Sequence, residues 1–386
     1  MTGIITAIDV TGLKRTKPAV VHYALEKFIG RDSADIDLND VKAAIIDTGV
    51  LEPVAVELVR AGGTEGVTLR VQVEEKWSIF PVPLVTAGSG AVNAGLFLAD
   101  TNAFGLRDQA ALGGMYGSEG WMAVAMYRST PERRRFPGWS AVFMYGAGDR
   151  ENQDREENTL GSYRAVTLRA AAGLEFPAAE NLTVSFGVSF TDIAVSRRSG
   201  IFPAEDGRNI GFTPGIAFRA SSWDGYLLSE KSVSLSYSYL LALSGSSFHE
   251  LGGRFTLAFP VFPGFKASVK GGVNFRPGAD AVFADNPGSA RIDILPAKFS
   301  ALHYAGALAE FEKYLFKFRQ GTLSAFFSWQ TVFSSAPSAG RAFDHGPAAG
   351  ARFYLSRIAI PALGLTASYN MTTKIPRFSF NMGVGF

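Results

Sequence analysis

The chain contains no cysteine, which removes disulfides and thiolate metal sites from consideration. It also lacks any run of about 18 apolar residues, the length a transmembrane helix requires, although 47% of its 386 residues are hydrophobic. Neither sign of charge dominates: 37 basic and 35 acidic side chains leave a formal net charge of +2. Without a basic–aromatic cluster, that balance argues against nucleic acid as a partner. Histidine is scarce, and the four present, His22, His249, His303 and His345, are scattered. No Gly-x-Ser-x-Gly occurs and no His–Ser spacing predicts a triad. The expectation is a protein with no catalytic residues, no metal site and no cofactor. The sequence opens Met-Thr-Gly without a basic n-region and an apolar h-region. On a membrane reading, a secretory leader is therefore expected upstream of residue 1 or already removed.

What the chain has in abundance is glycine and aromatic residues, 42 Gly, 31 Phe and 12 Tyr, and their spacing changes near residue 77. Residues 1–76 read as a small α+β domain of order β-α-α-β-β. Ile4 to Val10 is strand-like. Pro18 opens a helix whose apolar positions Val21, Ala24, Leu25 and Phe28 follow helical spacing. Asp37 or Asn39 caps a second helix bearing Leu38, Val41 and Ile45 on one face, with Gly49 near its end. Val54 to Arg60 and Val67 to Val73 alternate, and the glycine-rich stretch between them signals a hairpin.

From Trp77 onward, period-2 alternation runs for about 300 residues. Leu182, Val184, Phe186, Val188 and Phe190 alternate with Thr183, Ser185, Gly187, Ser189 and Thr191. Successive strand residues face opposite sides, so each such segment has an apolar face and a small or polar one. A soluble sandwich would turn the apolar face inward and carry Lys, Glu and Thr outside. Here the second face is Ser, Thr, Gly and Ala with occasional Arg, which suits a wet lumen, while the aromatic face suits lipid. Sixteen segments can be counted, from Ser78–Val85 to Arg377–Phe386, an even number as bacterial barrels have. Residues 77–386 are thus expected to form a sixteen-stranded antiparallel transmembrane β-barrel. Its longest outward loop, Pro277 to His303, lies between the eleventh and twelfth strands.

In this order the features resemble the BamA/TpsB outer-membrane superfamily. Ile8-Asp9-Val10-Thr11-Gly12-Leu13-Lys14-Arg15-Thr16 resembles the start of a POTRA domain. Asp100-Thr101-Asn102-Ala103-Phe104-Gly105 resembles the family's Asp-x-Asn-x-Phe-Gly turn. Asn381-Met382-Gly383-Val384-Gly385-Phe386 matches a C-terminal aromatic signal. The resemblance implies a bacterial outer-membrane protein with its N-terminal domain in the periplasm. Its implied work is outer-membrane protein assembly or polypeptide translocation. The implied partners are unfolded outer-membrane or secreted polypeptides, the lipid bilayer, and periplasmic or outer-membrane accessory proteins. The alternative is a passive outer-membrane pore with the POTRA domain as a docking module. Two family features depart from pattern: the Arg-Gly-aromatic motif of loop six is replaced by Ala290-Arg291-Ile292-Asp293, and Phe326-Phe327-Ser328-Trp329 stands where strand thirteen would carry an Asp.

Three candidate sites follow. Arg291 in loop six, paired with Glu310 or Glu312, could fix a plug in the lumen. Other lumen-facing charges, Arg169, Arg219, Arg254, Lys266, Lys270, Arg352 and Glu175, call for water, ion pairs or an inserted loop. Pro81 and Pro83 in the first strand, with Gly383, Gly385 and Phe386 in the last, suggest a lateral seam short of hydrogen bonds. Val54, Val56 and Leu58 mark an edge for polypeptide binding by strand addition. The acidic run Asp149 to Glu157 is interleaved with Arg150 and Arg155, which favours a solvated loop over a calcium site.

Overall fold

A computed structural model describes residues 3–60, 66–88, 91–118, 120–129, 137–200, 205–224, 227–287, 292–319, 321–337, 340–355 and 358–382. The chain packs as two compact units. One is Met1–Pro81 with Leu98–Leu112 and Met126–Ser140; the other is Val82–Phe97 with Gly113–Ala125 and Ala141–Phe386.

The first unit holds β1 (Ile5–Thr11), α1 (Pro18–Leu25), α2 (Leu38–Ile46), β2 (Leu51–Arg60) and β3 (Val67–Glu75), the order the sequence predicts. Its sheet runs β1-β3-β2, with β1 parallel and β2 antiparallel to β3. The helices bury Val21, Leu25, Val41 and Ile45 against Ile5, Leu51, Leu69 and Val71. Each such side chain contributes about 1.5–3 kcal/mol. Asp37 is the N-cap of α2, accepting the Asn39 N–H at 2.8 Å. Asn39 lies inside the first turn.

The chain leaves β1 at Gly12, whose φ of +93° an L side chain rarely adopts. A Cβ there would lie 2.0 Å from the Val73 carbonyl oxygen, so glycine is required. The Glu75 carboxylate then gathers the following turn, accepting the N–H groups of Lys14, Arg15 and Thr16 at 2.9, 2.8 and 2.6 Å. Held in this way, Arg15 donates to Ser78 Oγ at 2.9 Å and pairs with Asp100. Asn102 donates to Thr16 Oγ1 at 2.8 Å and accepts from the Arg107 N–H at 2.9 Å. The Asp-x-Asn-x-Phe-Gly turn is therefore a bonded structure in which Phe104 and Gly105 both take positive φ.

The remaining strands are β4 (Ile79–Gly88), β5 (Ala91–Ala103), β6 (Asp108–Gly117), β7 (Gly120–Arg128), β8 (Gly138–Gln153), β9 (Thr159–Ala179), β10 (Leu182–Gly200), β11 (Gly207–Asp224), β12 (Leu227–Ser244), β13 (Phe248–Phe262), β14 (Phe265–Phe275), β15 (His303–Lys317), β16 (Gly321–Ala336), β17 (Gly340–Leu355), β18 (Ile358–Asn370) and β19 (Ile375–Met382). They close into one sixteen-stranded barrel, with β19 beside β4. The first strand's entrance and the last strand's exit share one end, called here the turn end. The opposite, loop end carries the long β14–β15 connection.

Alternation is inverted relative to a soluble core. Along β16, Ser324, Ser328, Gln330 and Ser334 are buried inside, while Phe327, Trp329 and Phe333 are 48%, 41% and 47% exposed outside. Such a surface suits lipid. No described helix is long and apolar enough to cross a membrane.

Burial raises the affinity of Glu75 for protons, but the three backbone donors outweigh it and hold its pKa below the ordinary 4.5. Its stabilising contribution is thus present above the ordinary carboxylate range and disappears as pH falls through the depressed folded value. The urea midpoint of this unit, followed by Trp77 fluorescence, should drop between about pH 7 and about pH 3. Glu75→Gln should start lower and show a smaller drop.

Candidate functional site

The described parts of the long β14–β15 connection, 276–287 and 292–302, fold into the lumen. Ile292, Ile294, Leu295, Phe299 and Ala301 form a buried cluster with Val332 and Ala336 of β16. Earlier in the loop, Val282 packs against Tyr163, Ala165 and Ile193 of β9 and β10. An apolar loop core against the wall buries enough surface to hold a segment that carries little secondary structure of its own.

Polar contacts set its register. Gln330 Oε1 accepts the Asp293 N–H at 2.7 Å, and Gln330 Nε2 donates back to Asp293 Oδ2 at 3.1 Å. Ser368 donates to the Asp293 carbonyl at 2.8 Å, and Asn370 to the Ile294 carbonyl at 3.2 Å. Arg377 of β19, only 6% exposed, donates to the Ile294 carbonyl at 2.6 Å and to the Arg155 carbonyl at 3.0 Å. Its Nε lies 2.9 Å from Glu157 Oε1, an ionic contact without hydrogen-bond alignment. One guanidinium on the last strand thus joins loop six to the β8–β9 loop. On the other side Lys298 pairs with Glu151 at 3.0 Å, and Ser300 donates to Asn152 at 2.9 Å. The loop therefore has attachments to β8 and to β16–β19. A cavity of about 420 Å³ remains between it and the wall, lined in part by Trp121, Met144, Tyr163, Lys298 and Ser300.

Toward the turn end lies a charged cluster. Glu310 pairs with Lys270 at 2.9 Å and Arg352 at 2.6 Å; Glu312 pairs with Lys266 at 3.1 Å and Arg352 at 3.1 Å. Ser324 and Tyr354 each donate to Glu312 at 2.6 Å, and Arg352 lies 3.9 Å above the Phe326 ring. The two carboxylates are at most 3% exposed. Arg291 lies outside the described residues, and the cations around Glu310 and Glu312 come from β14 and β17. Arg169, Arg219 and Arg254 remain exposed, with Arg219 3.4 Å from Glu230.

At the seam, β4 and β19 pair over Val85–Gly88 and Ser379–Met382. Ser78 accepts the Thr101 N–H from β5 at 2.9 Å. Pro81 and Pro83, which lack N–H donors, precede the stretch of β4 that pairs with β19 among the described residues. Gly383, Gly385 and Phe386 lie outside the described residues.

The third candidate site is divided. A bulge between Pro53 and Ala55 leaves Val54 57% exposed, whereas Val56 is buried and Leu58 packs against the core. Strict alternation would have put all three on one face; the extra residue of a bulge breaks that phase. In the β8–β9 loop, Asp154 accepts from the Glu156 and Asn158 N–H groups at 2.8 and 2.9 Å, closing a turn. Among the described residues no metal-holding cluster occurs.

Gln330, Asn370 and Arg377 were not among the sequence candidates. Their signal was there: long polar side chains on faces otherwise made of Ser, Thr and Gly.

Arg377→Ala should free one side of loop six and raise single-channel conductance; an unchanged trace would place the hold on the loop elsewhere. Arg352→Ala should lower the stability of the barrel by on the order of 3–5 kcal/mol, because two buried carboxylates lose their shared partner. The temperature at which the band shifts in heat-modifiability gels would register it, and Arg352→Lys should recover only part.

No family model matches the sequence, and no curated protein matches it. The structure is similar to BamA from Haemophilus ducreyi lacking POTRA domains 1–3, with a TM-score of 0.68 and 15% identity, over 100% of this chain and 85% of that one. It is also similar to CdiB from Acinetobacter baumannii (0.67, 10%, covering 99% and 74%) and CdiB from Escherichia coli (0.62, 10%, covering 99% and 90%). With its closed sixteen-stranded wall and long loop folded inward, the chain has the barrel fold of these BamA and CdiB structures.

Proposed function

We propose that this protein resides in the bacterial outer membrane and inserts or exports unfolded polypeptide, with residues 1–76 acting as a periplasmic POTRA domain. The observation that carries the reading is Arg377. It ties the loop folded into the lumen to the strand that closes the barrel. A passive pore gains nothing from such a plug or from its attachment at the seam. A polypeptide-handling barrel needs a lumen sealed at rest and a wall that can open.

Two further features support it. Pro81 and Pro83, just before the stretch of β4 that pairs with β19, lack donors that lipid cannot replace with water. In the N-terminal sheet, the outer edge of β1 is partly covered, with Ile5 donating to the Arg31 carbonyl at 2.9 Å and Gly30 to the Ile5 carbonyl at 2.9 Å. That leaves β2, at the other edge of the order β1-β3-β2, as the template for an incoming extended segment. The partners are unfolded outer-membrane or secreted chains, together with accessory proteins of the periplasm or outer membrane.

Ala87 and Phe380 are direct partners across the seam, and the chain has no native cysteine. The double variant Ala87→Cys/Phe380→Cys should form a disulfide, since paired strand positions have suitable Cα separations. Oxidised, it should lose insertion or export activity in a reconstituted assay and regain it on reduction. Full activity in the locked barrel would reject the gate; absence of insertion and export in both the oxidised and the reduced protein would favour the passive pore.

A photo-crosslinking residue at the exposed position Val54 should capture an extended substrate peptide, whereas one at His22 on α1 should not. Equal capture at both would remove β2 as the docking edge.

A further inference from the structure

Three of the four histidines, His249, His303 and His345, face outward near the loop end, on β13, β15 and β17. With them stands Arg341. Phe275, His303, Ser335 and Arg341 are successive partners across β14 to β17, so His303 and Arg341 share one lateral row. His249 sits two residues nearer the loop end than Leu251, the partner of Phe275.

Two outward arginines elsewhere have carboxylate partners. Arg208 pairs with Asp192 at 2.8 Å and Arg164 with Asp149 at 3.5 Å. On the outward positions of β13–β18 no Asp or Glu occurs among the described residues, and Arg341 has no carboxylate partner there. An arginine on a lipid-facing surface is costly at mid-depth and tolerated near the interface, where an anion can answer it.

The imidazoles are already oriented. His303 Nδ1 accepts the Arg276 N–H at 3.0 Å, which leaves Nε2 as the protonated, donating nitrogen of the neutral ring. His249 Nδ1 is engaged by the Tyr237 hydroxyl at 2.7 Å, again leaving Nε2 free of that bond. The Phe275 ring, 4.5 Å from His303, holds the second ring in place.

We infer that this face of β13–β17 binds the headgroup of a phosphate-bearing glycolipid in the outer leaflet. Arg341 and His303 would grip one phosphate and His249 a second. His249 on β13 stands two strand spacings from His303 and four from Arg341, about 10 and about 19 Å at about 4.8 Å each, a separation that suits a headgroup with two phosphates rather than one. The inference rests on the outer-membrane reading, in which the loop end is the cell's exterior, but not on polypeptide transport.

The test needs no transport assay. Protein purified in detergent is mixed with phosphatidylcholine, phosphatidylglycerol or a bis-phosphorylated disaccharide lipid, and retained lipid is counted by native mass spectrometry. Wild type should keep the bis-phosphorylated lipid in preference to both others. Arg341→Gln/His303→Asn should lower that retention by about tenfold, corresponding to about 1.4 kcal/mol. Arg208→Gln, which removes an outward arginine that has its own carboxylate, should leave it unchanged. Equal retention by wild type and the double variant would overturn the site, as would an equal loss in Arg208→Gln. Phosphatidylglycerol held as well as the bis-phosphorylated lipid would overturn the assignment to a diphosphorylated headgroup. A protein that passes here yet fails to move polypeptide would keep the lipid site and lose the transport reading.

Discussion

On the proposed placement in a bilayer, every backbone N–H and C=O must find a partner within the protein, and that requirement shapes the rest of this molecule. Strands meet it only if the sheet closes, so β19 must return to β4. Closure makes one junction unlike the others, since it joins the two ends of the barrel sequence. Among the described residues that junction pairs Val85–Gly88 with Ser379–Met382.

Closure also creates an interior that must be filled or wetted. The chain uses both solutions. Toward the loop end, an apolar loop core with amide and guanidinium anchors covers the walls of β16 to β19. Toward the turn end, Glu310 and Glu312 share Lys266, Lys270 and Arg352. Buried ion groups of this kind add little net stability over a well-packed apolar equivalent. They impose geometry instead: five side chains from three strands, β14, β15 and β17, satisfy one another in one arrangement. These contacts fix the relative register of β14, β15 and β17 on the lumen side.

The N-terminal unit solves a different problem. It is a small domain with an ordinary apolar core, and its leading turn is organised by one carboxylate. Glu75 bonds three successive backbone donors, which sets Arg15 against Asp100 and Thr16 against Asn102. The quoted sequence motifs around Gly12 and Asn102 thus correspond to physical contacts with each other, not to independent signatures.

Much of the architecture was legible in the residues themselves. Strand alternation and helical spacing are local, since each depends only on the geometry of one element, so all sixteen barrel strands and the β-α-α-β-β order could be read directly. Lumen-facing positions were legible for the same reason: Glu310, Arg352 and Lys270 fall on the small-residue faces. What could not be read was which lumen groups meet. Arg377 and Ile294 are 83 positions apart, and Arg352 and Glu310 are 42 apart. Their pairing depends on how the closed wall curves and how loop six settles within it. Local phase failed even within one strand at Val54, where a bulge, invisible to alternation, turned the side chain outward. The sequence by itself determined the elements and their faces, because side-chain direction follows from backbone geometry. Only the tertiary structure decided the partners across the lumen, because those distances are set by closure and not by spacing along the chain.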